Sequence, residues 1–419
     1  MPVLDHFIRE KQRFLNHCTQ CGLCAEGCPI LPYTDISEIP SWDIQKGVFD
    51  FMDSGTPNQQ AYTKAFACME CFKCTSGMCP EDLNPLLVNE LIKEDYISKG
   101  LINTAFGDAK PSAGNHRVLA SVQVSGPEYN RITLSPNKQT VPYVFFPGCN
   151  VYSQPEKILN ALDIMDAIGD EYAFLPGIEF CCGDNHLFLG DIRAGCNRAE
   201  ELVAAIARFD PDAIVLWCPT CLCRFDKYIK PSMDVPFEIL SFPQYLAENM
   251  NKLPLTRAAA GTVTLHEACK SAHTGVDRNG PREVLRQLPG VAPREMKHHG
   301  METICCGSGA DRWFPQSSAR LRKDRLQEAA QTGAERLVTV CHYCSQAFAA
   351  EEPHYDFSIT NYVNLVAEAI GIRRDDTFKK YTLWGNLDRI LKDANERIAK
   401  SPFERERIIE VLQTVFVGL

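Results

Sequence analysis

Ten cysteines fall into one pattern written twice. Cys149, the adjacent pair Cys181-Cys182 and Cys218-x-x-Cys221 are followed by Cys269, Cys305-Cys306 and Cys341-x-x-Cys344, with gaps of 31 and 35 residues in the first copy and 35 and 34 in the second. Soft thiolate ligands select zinc or iron–sulfur clusters, and a structural zinc or a cubane cluster is satisfied by four of them. Each copy offers five, and neighbouring residues such as Cys181 and Cys182 can hardly send both sulfurs to separate corners of one cube. The pattern therefore suggests an opened cluster. Gly183 and Gly307 follow the two pairs, where the lack of a Cβ lets the backbone turn closely around inorganic sulfide.

Eight further cysteines form a second kind of motif. Cys18-x-x-Cys21-x-x-Cys24-x-x-x-Cys28-Pro29 is the run of two-cluster ferredoxins, in which three thiolates hold one cube and the fourth serves the other. Its partner is Cys68-x-x-Cys71-x-x-Cys74 with Cys79-Pro80, four residues rather than three before the last cysteine. Cys18, Cys21, Cys24 and Cys79 are thus expected on one [4Fe-4S] cube, and Cys68, Cys71, Cys74 and Cys28 on the other. Paired zinc sites would also use cysteine, but the triple spacing and Cys-Pro endings are the iron–sulfur form.

The elements that must position these thiols are legible around them. Val141 to Phe146 ends just before Cys149, and Thr262 to His266 just before Cys269; Asp212 to Trp217 runs into Cys218, and Arg336 to Val340 into Cys341. Each reads as a short buried strand that delivers a cysteine from its carboxyl end. Helical patterns at Glu200 to Arg208 and Arg320 to Ala330 lie between them, and the matching stretches beginning at Phe237 and Phe357 close each copy with a strand and a helix. Alternating strands and helices predict an α/β fold with open, mostly parallel sheets, whose sites lie at the carboxyl ends of the strands. The expected organisation is a helical ferredoxin-like domain over 1–110, a linker over 111–140, tandem pseudo-symmetric α/β domains over 141–255 and 256–371, and a charged helical extension over 372–419. Pro85 to Lys99 reads as a helix of the first domain, and the Pro-, Gly-, Ser- and Asn-rich stretch Lys110 to Thr140 as a connection wrapping between units.

Composition narrows the class. A chain of 419 residues with 45% hydrophobic content is long enough for two or three domains with real cores. A formal net charge of −10 argues against a nucleic-acid surface. Twenty cysteines at metal-ligand spacings point to a reducing, cytoplasmic compartment rather than a disulfide scaffold. The start, MPVLDHFIREKQRF, does not read as a signal peptide, so the mature protein is expected to begin near Met1. No run approaches the roughly 20 apolar residues that cross a bilayer; attachment to the inner face of a membrane is expected only through a redox partner.

The two Cys-Cys-Gly motifs within full five-cysteine patterns resemble the CCG domains of the heterodisulfide reductase family, and the resemblance spans residues 1–369. The two-cubane domain ahead of tandem CCG domains is similar to that family's single-chain catalytic subunit, which works with a membrane cytochrome, and to its relatives in anaerobic metabolism. The resemblance implies one noncubane [4Fe-4S] cluster on Cys149, Cys181, Cys182, Cys218 and Cys221 and a second on Cys269, Cys305, Cys306, Cys341 and Cys344, with a disulfide reduced, or thiols oxidised, between them. Related iron–sulfur subunits of hydroxy-acid oxidation use similar domains beside a flavin protein, and a pure electron-relay subunit would use the same clusters, so both readings stay open.

Other residues could add chemistry. His186, His266, His273 and His342 lie near ligand cysteines and are candidate proton donors or structural donors to sulfide. Cys196 and Cys223 stand outside every motif and are expected to pack in the core. Lys270, Arg278 and Lys297 are candidate attractors of an anionic substrate, against the more ordinary reading of a solvated charged face. No complete G-x-G-x-x-G follows a strand, so flavin or nicotinamide is expected on a partner, a flavin protein or a membrane cytochrome, rather than on this chain.

Overall fold

The computed structural model describes residues 1–102, 115–135, 140–256 and 261–418. The boundary expected between 110 and 111 lies outside the described residues. Among these residues eight short strands build two parallel sheets of four. β1 (Tyr143–Phe146), β2 (Tyr172–Phe174), β3 (Ala213–Leu216) and β4 (Glu238–Ser241) are ordered β2-β1-β3-β4; β5 (Gly261–His266), β6 (Val291–Arg294), β7 (Arg336–Thr339) and β8 (Ser358–Asn361) repeat that order as β6-β5-β7-β8. The central strands of the first sheet are apolar almost throughout, as buried parallel strands are: all four residues of β3 are buried, as are Val144, Phe145 and Phe146 of β1.

The repeats are joined by exchange of helices. Helix Pro155–Ile168, the first of the first repeat, packs on helix Tyr362–Ala369, the last of the second; Phe242–Asn249, the last of the first repeat, packs on Gly280–Gln287 of the second. Asn160 Nδ2 donates to Asn364 Oδ1 at 2.9 Å across the first of these contacts. In both places a helix between the first two strands of one repeat packs on the last helix of the other, the mark of an internal pseudo-twofold arrangement.

The amino-terminal unit is helical, with Pro2–His17, Ser41–Ser54, Gln59–Phe66 and Pro85–Ser98 around a separate core of Phe14, Val48, Phe51, Phe66 and Tyr96. Asn58 and Asn84 cap the last two of these helices by accepting from Ala61 and Leu87 N–H. The charged tail holds the helices Thr377–Trp384, Leu387–Ala399 and Arg405–Leu412.

Two features depart from the sequence reading. The connection expected to lack regular structure contains helices Asn115–Gln123 and Gly126–Thr133. A capping box of Ser125 and Glu128 starts the second, while Val118, Leu119 and Val122 of the first bury against Tyr381, Ile390, Ile408 and Leu412 of the tail, a partner far away in sequence. Strands β2 and β6 carry no clear signal; both are edge strands, and Pro293 in β6 is tolerated for that reason.

Candidate iron–sulfur and substrate site

Each sheet brings two of its cysteines to its topological switch point. The connection leaving β1 runs to one side of the sheet, to β2, and the connection leaving β3 runs to the other, to β4, and the crevice between β1 and β3 is where Cys149 and Cys218 emerge. Cys269 and Cys341 emerge in the same way from β5 and β7. The Cys-Cys-Gly loops close over these crevices. Cys149 Sγ lies 3.5 Å from Cys181 Sγ, and Cys182, Cys218 and Cys221 complete the group in mutual contact. In the second repeat Cys269 Sγ lies 3.5 Å from Cys305 Sγ, with Cys306, Cys341 and Cys344 beside them. All ten thiols are buried.

Glycine is required in both loops. Gly183 has φ +88° and a Cβ there would sit 2.2 Å from Gly195 O; Gly307 has φ +82° and its Cβ would sit 2.8 Å from Ser318 O. Each glycine also donates its backbone N–H to the first sulfur of its pair, Gly183 to Cys181 at 3.4 Å and Gly307 to Cys305 at 3.5 Å. Such donors suit sulfur that carries negative charge.

The other eight cysteines gather in two groups of four. Cys18, Cys21, Cys24 and Cys79 border one small cavity, where Gln45 accepts from the Cys24 thiol at 2.9 Å and donates to Cys18 Sγ at 3.6 Å. Cys28 lies against Cys68 and Cys71, and Cys74 completes that group. Burial pushes the Cys28 thiol up to about 12, which the neighbouring Cys71 reinforces. Lys64 is buried between the two groups, held by Asn89 Oδ1 at 3.4 Å, and its ammonium is kept charged by Cys24, Cys74, Cys28 and Cys68 against the cost of burial. A buried cation ringed by thiols fits anionic thiolate clusters and not eight neutral thiols. The donor sets therefore suit iron–sulfur groups.

The histidines separate into different roles. His273 is fixed between two carbonyls, Cys71 O at 2.8 Å and Thr303 O at 3.1 Å. His186 pairs with Asp191 at 3.3 Å. His342 is fully buried against Cys218 of the other repeat, and although burial works to lower its pKa, Cys218 and Cys341 outweigh that and raise it. His266 is fully buried beside Cys306 and Cys344. Cys196 and Cys223 are core residues, both with no exposed surface.

A cavity of about 140 Å³ opens onto the second thiol group. Cys269, Cys305, Cys306, Cys341 and Cys344 form its floor, Asp184, Asn185, Pro219 and Thr220 of the first repeat face them, and Met69 and Glu70 bring in the amino-terminal unit. Tyr343 keeps 37% exposure because it borders this space, and its hydroxyl accepts from Asn150 Nδ2 at 2.6 Å. Arg312 stands exposed on the rim. Sequence reasoning misses Arg312, which carries no motif. Of the three cations that the sequence suggests, Lys270 lines the cavity, whereas Arg278 donates to Ala272 O at 3.2 Å and Lys297 is exposed, and neither lines it.

Along one side of the cavity a buried ion cluster ties all three units together. Arg224 reaches Glu70 at 3.0 Å, Glu90 at 2.5 Å and Asp184 at 2.7 Å, and Lys270 lies 3.3 Å from both Glu70 and Asp184. Three carboxylates around two cations divide the proton affinity unevenly. Burial, then Asp184, push Glu70 up to about 7 despite Arg224 and Lys270. Burial works to raise Asp184 too, but Lys270 and Arg224 outweigh it and hold that carboxyl well below the usual range.

The fold and its thiol groups agree with comparisons to known proteins. Residues 143–226 and 263–349 match the cysteine-rich CCG domain, and residues 14–83 match the 4Fe-4S dicluster domain. The chain is thus an iron–sulfur protein of the CCG-domain class, with 4Fe-4S clusters indicated by both kinds of domain. It is homologous to one of the components of heterodisulfide reductase: a subunit of the dihydromethanophenazine:CoB–CoM heterodisulfide reductase of Methanosarcina barkeri is 24% identical over 85% of this chain and 94% of its own length. A subunit of the fumarate reductase (CoM/CoB) of Methanothermobacter marburgensis is 23% identical over 79% of this chain and 66% of its own. An EtfAB:quinone oxidoreductase of Syntrophomonas wolfei is 24% identical over 48% of this chain and 30% of its own. These relatives are oxidoreductases or their subunits, and electron transfer is the function that the domains share. Among the described residues no helix is long and apolar enough to cross a membrane.

Proposed function

We propose that this chain passes electrons through two cubane clusters, held by Cys18, Cys21, Cys24 and Cys79 and by Cys68, Cys71, Cys74 and Cys28, to two noncubane [4Fe-4S] clusters on the ten repeated cysteines, where a disulfide is reduced or thiols are oxidised. The clusters would supply single electrons and iron sites for sulfur. The observation that carries this reading is the cavity, whose floor is the second five-cysteine group and whose opposite wall belongs to the first repeat. A disulfide seated there lies between the two groups.

The chain's own residues then bind and orient. Met69, Phe188, Pro219 and Ala268 give the cavity an apolar lining that excludes water, and Arg312 at the rim attracts an anionic end of the substrate. Lys270, committed to Glu70 and Asp184, orients those carboxylates and is not free for substrate. Met69 and Glu70 lie between Cys68 and Cys71 in sequence and line the cavity as well, so the nearer cube and the substrate share one wall. Cys21 is the exposed thiol among the twenty and stands beside exposed Leu23, with Trp42 against Gly22, which makes this the face where a redox partner delivers or receives electrons. A flavin protein or membrane cytochrome suits that role.

Electron paramagnetic resonance on anaerobically purified, iron-quantified protein, poised oxidised with and without thiols and disulfides, tests the reading. A new signal that appears only with a thiol supports it. Signals that respond to potential but to no thiol support instead an electron relay, including one that serves a hydroxy-acid oxidase.

A further inference from the structure

The two repeats differ at one buried corner. Three residues before the first cysteine of each motif stand Phe146 in the first repeat and His266 in the second. Across from them run the helices Ile192–Ala207 and Pro315–Gln331, and the paired contacts Gly183 to Gly195 and Gly307 to Ser318 fix their register, so that Leu202 corresponds to Arg325. Phe146, Leu202, His266 and Arg325 all have no exposed surface. One repeat thus has an apolar pair where the other buries a guanidinium and an imidazole. Stability does not account for the exchange, because an apolar pair of similar volume serves a core at least as well as a buried charged one.

The polar pair has a defined direction. Arg325 Nε donates to His266 Nδ1 at 3.0 Å, and its other nitrogens are committed to His298 O and Glu328 at 2.8 Å and to Thr303 Oγ1 at 3.1 Å. A guanidinium has no acceptor, so Nδ1 must present its lone pair and the ring proton sits on Nε2. Among the described residues the buried Nε2 has no hydrogen-bond partner of ordinary geometry, and the histidine, Cys306 and Cys344 offer ligand atoms within 4.8 Å of one another. A ring nitrogen that carries its proton is a donor to sulfur and not a metal ligand. His342, which faces Cys218 in the first group, shows no such lock, since among the described residues neither of its ring nitrogens has a partner of ordinary geometry.

We propose that Arg325 and His266 form a locked hydrogen-bond relay onto the Cys306 and Cys344 side of the second thiol group, and that it raises the reduction potential of the second centre. The inference rests on the reading that both groups hold iron–sulfur centres. Both are positioning residues: Arg325 fixes the tautomer, and His266 N–H stabilises the negative charge that reduction adds to the sulfurs, one of the levers that set cluster potentials.

The test uses the full chain with its clusters, purified anaerobically and titrated with potential under electron paramagnetic resonance. His266→Phe, Arg325→Leu and the double variant, which copies the first repeat, are expected to shift the second centre's oxidation equilibrium about tenfold toward the oxidised form, about 59 mV lower for a one-electron couple. The first centre and the cubes should not move. His266→Gln, which keeps an N–H donor, should restore much of the shift. Pulsed spectra of the unaltered protein should show an exchangeable proton and a weak nitrogen coupling at the second centre. Unmoved potentials in His266→Phe, or a strong directly bonded nitrogen coupling in the unaltered protein, overturn the relay and in the second case make His266 a ligand. Absence of any centre on the ten cysteines removes the underlying reading instead, and the proposal with it.

Discussion

The two repeats carry the same strand order, the same five thiols and the same glycine after the cysteine pair, yet their surroundings diverge. The first group is enclosed: its five thiols are buried and none of them lines the cavity, and the corner of its repeat that matches His266 and Arg325 holds Phe146 and Leu202. The second forms the floor of a cavity and has the Arg325 and His266 pair at the corresponding corner. Duplication supplied one ligand geometry twice; what differs is access and polarity. The difference teaches that the two centres need not do the same work, since potential and substrate access are set by what lies outside the ligands.

The largest effect should come from removing a ligand. Cys182→Ser and Cys306→Ser should each abolish the signal of one repeated centre and leave both cube signals and the other repeat intact, as read by electron paramagnetic resonance with iron counting. Only Cys306→Ser, at the cavity, should also abolish any thiol-dependent signal. Unchanged spectra in both variants sink the ligand assignment.

Next comes the cation that fastens the first repeat to the amino-terminal unit. Arg224→Met leaves Glu70, Glu90 and Asp184 with only Lys270 to compensate them. Breaking a buried pair from one side costs about 3–5 kcal/mol, so anaerobic denaturant unfolding should show a large loss. Lys270→Met, on the second repeat and 13% exposed, should cost less because Arg224 still serves every carboxylate that Lys270 touches.

How much of this was legible follows from where each signal sits in the chain. The thiols, the strands that deliver them and the closing strand-helix pairs are local patterns, and the structure places them at equivalent points of two sheets. The helices Asn115–Gln123 and Gly126–Thr133 were not legible, because Val118 and Leu119 find their apolar partners in the tail. The ion cluster escaped for the same reason: Glu70, Glu90, Asp184, Arg224 and Lys270 come from three units and look like ordinary surface charges one by one. Lys270 reads in sequence as a substrate cation, but its neighbours Glu70 and Asp184 commit it, while Arg312, without any motif, lines the rim. The asymmetry of Phe146 and His266 is visible when the repeats are aligned, but its meaning depends on Arg325, which only the packing of helix Pro315–Gln331 reveals.

The glycines probe how tightly each loop is closed. Gly183→Ala drives a Cβ to 2.2 Å from a backbone carbonyl and Gly307→Ala to 2.8 Å, both at positive φ. The left-handed conformation costs about 1–2 kcal/mol and overpacking typically about 1–3 more. Both variants should melt lower, Gly183→Ala by the larger margin, and the enclosed group should lose its iron more readily than the open one. Equal losses would mean that the two loops yield alike.

The smallest effect concerns a buried carboxyl at the joint between the repeats. Glu156, beside Lys157 on helix Pro155–Ile168, is pushed up to about 7 by burial, with the nearby Lys157 opposing and Asp376 reinforcing the shift. Its folded value lies above its ordinary 4.5, so its contribution is fully present below about 4.5 and is lost as pH rises through about 7. Glu156→Gln has no charge to bury. Relative to the unaltered chain it should therefore show no gain in melting temperature near pH 4.5 and a growing gain toward pH 8, worth on the order of 3 kcal/mol by linkage. Asp277 is the comparable carboxyl of the second repeat, half-buried and pushed up to about 6 by desolvation, and Asp277→Asn should show the same sign at a lower pH and with a smaller amplitude. A Glu156→Gln gain that is flat with pH would mean that Lys157 fully compensates the carboxylate, and the joint of the first repeat would then be an ion pair at every pH rather than a proton-holding contact.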